Sequence, residues 1–448
     1  MKKFIAVIAL LALVLTCSGC SLNLFSVDSL ITPPAQSGKN GQVQKAFNSL
    51  MKDKKVQLKT PVNGEYQTSF VLLDVNNNGV EEAFVFYTDS SSVEGSVRMA
   101  FMECVDDEWF ISSDIKGAGN GVYDVEFVDL NRDGYSEVLV SWSLLDSKTT
   151  RIVSVFEIAD DGNHKLVLNS LGNEYCNAKT VLDFNNDGAD DLLLVYLDDT
   201  GAVQKSFLRM FTLNANNQMI KYGETVLDSA IASISTIQSD IATIGGKQTV
   251  RLFIDCTKND RTIFTEGVYW DSRLLVPTRL FTEPSVSNLR NSALICKYID
   301  NDGLLEMPTT TKLYGDENTF TVKTATDMHT FSLLLWADAL GDTNHHGITT
   351  LLNPLDYYLF LYDWGSEVTV KYDSLREALI FCQWNEEEKK SGDELFFITH
   401  RESVAENEIL GELLAETEKG VYYYQITEKG TDFGITDEIV SSSFIKIN

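Results

Sequence analysis

Between residues 65 and 310, short apolar runs alternate with loops rich in Asp, Asn and Gly. SFVLL leads into one loop and AFVFY leads out; VEFV and VLVSW flank a second, KTVL and LLLVY a third. SVRMAFMEC, RIVSVFEI and SFLRMFTL come next in each unit, then EWFISS, HKLVLN and QMIKYG. Short apolar runs bounded by turn residues predict β-strands. The loops open at Asp74, Asp129 and Asp183, so the pattern recurs after 55 and then 54 residues. One unit is a loop plus about four strands.

Four short strands per unit of this length is the arithmetic of a β-propeller blade. A fourth loop, YIDNDGLLE, spans 298–306, and Gly303 lies 115 residues after Gly188, about two periods on. The stretch 237–298 lacks the loop motif but holds TVRLFIDC, TIFTEGVYW and LLVPTRLF, enough for the unit between. A fifth unit would run from Asp300 through FSLLLWADAL to about Pro354. The run 69–73, before the first loop, belongs in pattern to a blade's last strand and would close the ring, removing exposed edges. The expected fold is therefore mainly β: a propeller over 57–352 with about five four-stranded blades, degenerate repeats leaving six or seven open. A small α+β domain over 353–448 follows, with strands near 357–362, 366–372, 377–384, 394–400 and 421–427. Residues 403–417 mix helical and loop signals, and TDEIVSSSFIKIN opens with a helix cap. Residues 21–56 read as a tether and a short helix at 42–55 with Val43, Phe47, Leu50 and Met51 on one face.

Each loop carries oxygen donors at positions 1, 3 and 5, glycine at 6 and a carboxylate at 9. Loop one offers Asp74, Asn76, Asn78 and Glu82, with the Val80 carbonyl at position 7. Loop two offers Asp129, Asn131, Asp133, Tyr135 and Glu137, and loop three Asp183, Asn185, Asp187, Ala189 and Asp191. Loop four has Tyr298 at position 1 and retains Asp300, Asp302, Leu304 and Glu306. Alternate spacing in a tight turn brings side chains toward one point, and glycine allows a backbone that other residues resist. An all-oxygen set suits Ca²⁺, whereas zinc and copper prefer nitrogen and sulfur. Loops two and three, with three carboxylates each, are expected to bind best and loop four worst. The competing reading is an Asx-rich turn that folds without metal.

The N-terminal MKKFIAVIALLALVLTCSGC reads as an export signal: Lys2 and Lys3, an apolar run, then small residues before Cys20. It is similar to a bacterial lipoprotein signal over residues 1–20, which implies lipidation of Cys20. Cys17 departs from the usual residue three places earlier, so cleavage before Cys17 stays open. Removal of residues 1–19 takes two lysines and no acid, moving the formal charge from −29 to −31. Such a surface repels polyanions and argues against nucleic-acid binding. The cysteines after Cys20 are widely spaced among apolar residues, as buried free thiols are.

The loops resemble those of FG-GAP and VCBS repeats, the integrin-α-like propeller class, well over 65–310 and weakly over 311–352. The resemblance implies structural calcium sites on a propeller used for adhesion or binding. The whole chain also resembles a group of Gram-positive bacterial lipoproteins with such repeats, which brings no activity with it. Among five histidines none lies in HExxH, and DTNHHG (342–347) reads as an exposed loop. No GxSxG, P-loop or dinucleotide fingerprint occurs. EKGVYY and YDWGSE carry aromatics that could touch sugars, although buried strand positions are the commoner fate of such residues. The expectation is a non-catalytic binding protein lipid-anchored to the outer face of the bacterial membrane, with a protein or glycan partner. The alternatives are an accessory or sensor subunit acting through 353–448, and a secreted polysaccharide-active enzyme with its site at the propeller's funnel.

Overall fold

The computed structural model describes residues 38–90, 96–162, 165–281, 289–290, 294–299, 302–310, 332–340, 343–353, 357–361, 367–373, 375–402 and 411–446. The export signal, Cys20 and Asp300 lie outside the described residues. Among the described residues no helix is long and apolar enough to cross a membrane.

The chain is mainly β. The first sheet holds β1 (Val56–Leu58), β2 (Phe70–Leu73), β3 (Glu82–Asp89), β4 (Val97–Val105) and β5 (Glu108–Lys116). β1 and β2 pair with different halves of β3, so together they make one interrupted first strand. The second sheet is β6 (Gly121–Val128), β7 (Glu137–Ser143), β8 (Arg151–Asp160) and β9 (Leu166–Cys176). The third is β10 (Ala178–Leu182), β11 (Asp191–Asp198), β12 (Lys205–Leu213) and β13 (Met219–Leu227). The fourth is β14 (Ser233–Ile244), β15 (Lys247–Thr257), β16 (Ile263–Asp271) and β17 (Val276–Arg279). All four are antiparallel meanders in chain order.

The burial pattern explains why the run after each loop is continuously apolar rather than alternating. Six successive residues of β3, six of β7 and five of β11 are buried. Both faces of these second strands are covered: consecutive sheets pack on one another, and the outer face of β3 is covered by the N-terminal helix. Phe84, Phe86 and Phe101 of the first sheet meet Val138, Trp142 and Phe156 of the second. Leu139 and Val155 of the second meet Leu192 and Leu194 of the third. Leu193 and Leu208 of the third meet Leu252 and Val268 of the fourth. By contrast β5, an edge strand, has no fully buried residue.

The repeat's phase differs from expectation. The run leading into each loop is its own sheet's first strand, paired with the strand that leaves the loop: β2 with β3, β6 with β7, β10 with β11. The run 69–73 therefore does not join the last sheet. A loop of nine residues returns the chain antiparallel beside itself, and local pairing closes far less chain than pairing across the molecule. In the fourth sheet, which lacks the motif, β14 and β15 are joined by Gly245–Gly246, with φ of 60° and 81°. Two successive positive φ values are the requirement of a tight hairpin turn.

The fifth sheet holds β18 (Glu306–Thr310), β19 (Ser332–Leu340), β20 (Thr343–Asn353), β21 (Tyr357–Phe360) and β27 (Phe444–Lys446). It straddles the junction expected at 352/353. The DTNHHG run, expected as a loop, lies largely in β20, where His345 is opposite Asp338. Residues 343–347 of the run continue the pairing of β20 with β19, so its polar residues extend a strand. The last sheet has the order β22 (Val368–Asp373), β23 (Ala378–Asn385), β24 (Lys390–Arg401), β26 (Gly420–Ile426), β25 (Glu412–Thr417). Two short helices follow: α2 (Glu428–Phe433), capped by Thr427 and ended by Gly434 at φ 96°, and α3 (Asp437–Ser443), capped by Thr436. Tyr422 and Tyr424 of the EKGVYY strand are buried in this unit's core together with Leu359 of β21.

Helix α1 (Gly38–Leu50) begins earlier than the pattern predicts. It buries Val43 and Phe47, with Met51 just beyond its end, against β2, β3 and β4. Phe47 is edge-on to Phe70 and Tyr87. Leu50, expected on the same face, is 49% exposed. In an α-helix residue 50 lies three places from 47, at the margin of the stripe, and Met51 takes the contact instead.

In the fourth sheet buried ion pairs bind the chain that follows it. Arg290 Nη2 donates to Asp255 Oδ1 at 2.6 Å, Nη1 to Thr265 Oγ1 at 3.0 Å and Nε to the Leu294 carbonyl at 2.7 Å. The Cys296 amide donates to Asp255 Oδ2 at 3.0 Å. Cys176, Cys256, Cys296 and Cys382 are free and buried, and Cys104 is free and half-buried.

Two stability outcomes follow from this packing. Phe47→Ala should cost about 3–5 kcal/mol, whereas Leu50→Ala should stay within about 0.5 kcal/mol; urea unfolding of the two variants side by side checks this. Arg290→Met leaves Asp255 buried and uncompensated, and should cost about 3–5 kcal/mol by the same measurement. An unchanged midpoint would mean that the pair does not hold this region together.

Candidate functional site

The Asx-rich loops join first and second strands in the first three sheets, and the fourth loop leads into β18. Their backbone is unusual at two points. Position 4 is left-handed at Asn77 (φ 56°), Arg132 (63°) and Asn186 (59°). Position 6 is left-handed at Gly79 (86°), Gly134 (87°), Gly188 (89°) and Gly303 (89°). Asparagine tolerates this region and glycine adopts it without steric cost; arginine at 132 is the exception.

The side chains at positions 1, 3 and 5 hold the loop's own amides. Asp74 accepts from the Asn78 and Gly79 amides at 3.0 and 2.8 Å. Asp129 Oδ2 accepts from Gly134 at 3.0 Å, and Asp183 Oδ1 from Asp187 at 3.0 Å. Asn76, Asn131 and Asn185 accept from the amide two residues on, at 3.1, 2.9 and 2.8 Å. Asn78, Asp133, Asp187 and Asp302 accept from the position-7 amides of Val80, Tyr135, Ala189 and Leu304, at 2.7, 2.8, 2.8 and 2.7 Å.

Position 9 is the most uniform. Glu82, Glu137, Asp191 and Glu306 are each the first residue of their strand, and each is buried. Each accepts a hydrogen bond from the position-2 amide: Val75 at 3.1 Å, Leu130 at 2.8 Å, Phe184 at 3.0 Å and Ile299 at 2.6 Å. Burial pushes the carboxyls of Glu82, Glu137 and Asp191 up to about 7; the amide bonds oppose the rise, and the loops' other acids add to it.

The loops also touch one another, which the sequence alone did not signal. The Asn77 side-chain amide donates to the Gly134 carbonyl at 2.9 Å. Arg132 Nη1 donates to the Asp187 carbonyl at 3.3 Å. Position 4 of one loop thus reaches positions 5 and 6 of the next, and loops one, two and three form a row. Asn131 Nδ2 donates to Asn217 Oδ1 at 3.2 Å, and Asn217 Nδ2 to Glu157 Oε2 at 3.0 Å, bracing loop two from the side. In loop four, the Leu305 amide donates to Asp240 Oδ2 at 2.8 Å, and Asp240 is itself paired with buried Arg251.

The donor set is all oxygen and suits a hard cation. Asp129 Oδ1 is buried and, among the described residues, receives no hydrogen bond, an acceptor of the kind a cation satisfies. Loop two is therefore the best fit. Among the described residues, however, no three His, Cys, Asp or Glu side chains gather into a metal-holding group. The position-9 carboxylates turn to backbone amides, so the triple-carboxylate sets expected of loops two and three are not drawn together here. No known protein family matches this sequence, and no curated protein is similar to it.

These raised carboxyls set a pH dependence for the metal-stripped protein. At these three sites the folded state holds protons that the unfolded chain releases above about pH 4.5, so their contribution to stability is greatest below that value. It falls as pH rises through about 7. Melts in chelator between pH 5 and 8 should show a falling midpoint, with a shallower fall in Glu137→Gln. A midpoint that climbs across this window would contradict the assignment.

Proposed function

We propose that this chain is an exported, lipid-anchored binding protein whose successive sheets are the blades of a propeller stiffened by calcium. The observation that carries the reading is the register of the loops. In all four loops position 5 accepts from the position-7 amide and position 9 from the position-2 amide, and three of the loops lie in a row. The ring is supported by the order of the sheets: each of the first four is a meander of consecutive strands, and each packs face to face on the next. The fourth continues the series onto the fifth through Phe253, Leu280 and Met307.

Calcium would be held by the position 1, 3 and 5 oxygens, with loop two leading because of its buried Asp129 oxygen. When bound it neutralises clustered acids that otherwise repel one another and tightens loops that already share hydrogen bonds. Lipidation at Cys20 would place the body on the outer face of the bacterial membrane. The partner would be a protein or glycan. A formal charge of −29 disfavours nucleic acid. The sequence carries no catalytic signature, and the loop acids are engaged in shaping the loops.

The test is a thermal melt of the metal-stripped protein against added Ca²⁺ and Mg²⁺. Binding only to the folded state raises the midpoint by mass action, by about 2.7 kcal/mol of stability at a hundredfold excess over Kd. A calcium-specific rise, reduced in Asp129→Ala and Asp183→Ala, is expected. No shift at millimolar calcium would identify the loops as metal-free turns.

A further inference from the structure

A cavity of about 320 Å³ opens where the first strands of the second, third and fourth sheets begin. Its walls are β6 at Tyr123, Asp124 and Glu126, β10 at Ala178 and Lys179, and β14 from Ser233 to Ile237. The Asx-rich loops leave β6 and β10 at their other ends, so this is a separate site. Its volume lies in the range that takes small molecules.

The charges in the cavity are unequally engaged. Lys179 is nearly buried, 3.1 Å from Asp124 Oδ1, and also contacts Glu126 Oε1, so its charge is spent within the protein. Arg151 is different. Its Nη1 donates to the carbonyls of Thr149 and Asn177 at 3.1 and 2.9 Å, and its guanidinium lies over the Tyr123 ring at 3.4 Å. Among the described residues no carboxylate pairs with it. In a chain with 65 acids against 36 bases, an arginine held in place by carbonyls and an aromatic face, with its fork directly paired to no carboxylate among the described residues, is a prepared anion site. The hydroxyls of Ser233, Ser235 and Thr236 and the Asn63 amide also line the space and make no side-chain hydrogen bond among the described residues.

We infer that this cavity binds a small hydroxylated carboxylate, an acid sugar, with Arg151 taking the carboxylate and the Asn63, Ser233 and Ser235 side chains meeting the hydroxyls. Lys179 is shared between Asp124 and Glu126, so with Arg151 the cavity's two bases match its two acids; it has hydrogen-bonding capacity for one carboxylate but no surplus charge for a dianion such as phosphate. Cys176 also borders the cavity, but burial pushes its thiol up to about 12, so it is no nucleophile there. The site binds rather than transforms. It goes beyond the calcium reading and does not depend on it.

The test is isothermal titration of the purified protein with D-glucuronate and D-galacturonate, with D-glucose and inorganic phosphate as controls. Saturable binding of a uronate and not of glucose is expected. Arg151→Met, which keeps the contact with Tyr123 but loses the charged fork, should weaken it at least tenfold. Ser235→Trp, at an exposed wall position, should abolish it by filling the space, and serves if Arg151→Met does not fold. Asp129→Ala should leave uronate binding unchanged even where calcium stabilisation is lost. The inference fails if no uronate binds saturably, if glucose or phosphate binds as well as the uronate, or if binding survives Ser235→Trp in a protein that melts like the parent.

Discussion

The hydrogen bond from a position-2 amide to the buried carboxylate at position 9 is the constraint on which the repeated architecture depends. Glu82, Glu137, Asp191 and Glu306 each stand at the point where a loop becomes a strand covered on both faces. The bond closes the loop and fixes where the strand starts. Register follows, because a one-residue slip would turn every side chain of the strand to its other face. With apolar residues on both faces of β3, β7 and β11, the start of the strand decides which residues meet the preceding sheet (helix α1, for β3) and which the following one. A carboxylate serves here because its oxygens only accept, and the loop presents amides.

The same acids make the loops costly without a counter-charge. A carboxyl pushed up to about 7 by burial is a group that the fold would rather keep protonated. The architecture is the stronger determinant: each acid is retained where its strand begins, although a neutral residue there would avoid the desolvation cost. A cation in the loops would resolve the tension, and the buried Asp129 oxygen marks loop two as the place where that would matter most. The fourth sheet shows the other solution. It replaces the loop with Gly245–Gly246 and instead buries Arg251 with Asp240 and Arg290 with Asp255, which tie down the chain leading to β18.

Face-to-face packing of consecutive sheets also sets what the first strands can do. They are less apolar than the second strands, with Asp124, Glu126 and Lys179 among them. Where three of them begin side by side they enclose a polar cavity rather than a core. Apolar packing between the sheets holds that polar surface open, and Arg151 is kept extended across Tyr123 by two carbonyls.

Much of this was legible along the chain. The loops announced themselves by Asp, Asn and Gly at fixed positions, because only those residues supply the acceptors and the left-handed backbone that the turn needs. The second strands were visible as continuous apolar runs, and the N-terminal helix through Val43, Phe47 and Met51. These are local properties, set by backbone stereochemistry and by the period of burial. What only the tertiary structure decided was partnership. It assigned 69–73 to its own sheet, turned Leu50 outward, drew 343–347 into β20, and carried β21 and β27 into the fifth sheet. It also placed Asn77 against Gly134, Arg132 against Asp187, and Arg290 against Asp255, residues far apart in sequence whose types are common on any surface. Spacing reveals which residues can share a turn or a face. Which of them meet across sheets depends on how those faces pack, and that is a property of the folded chain.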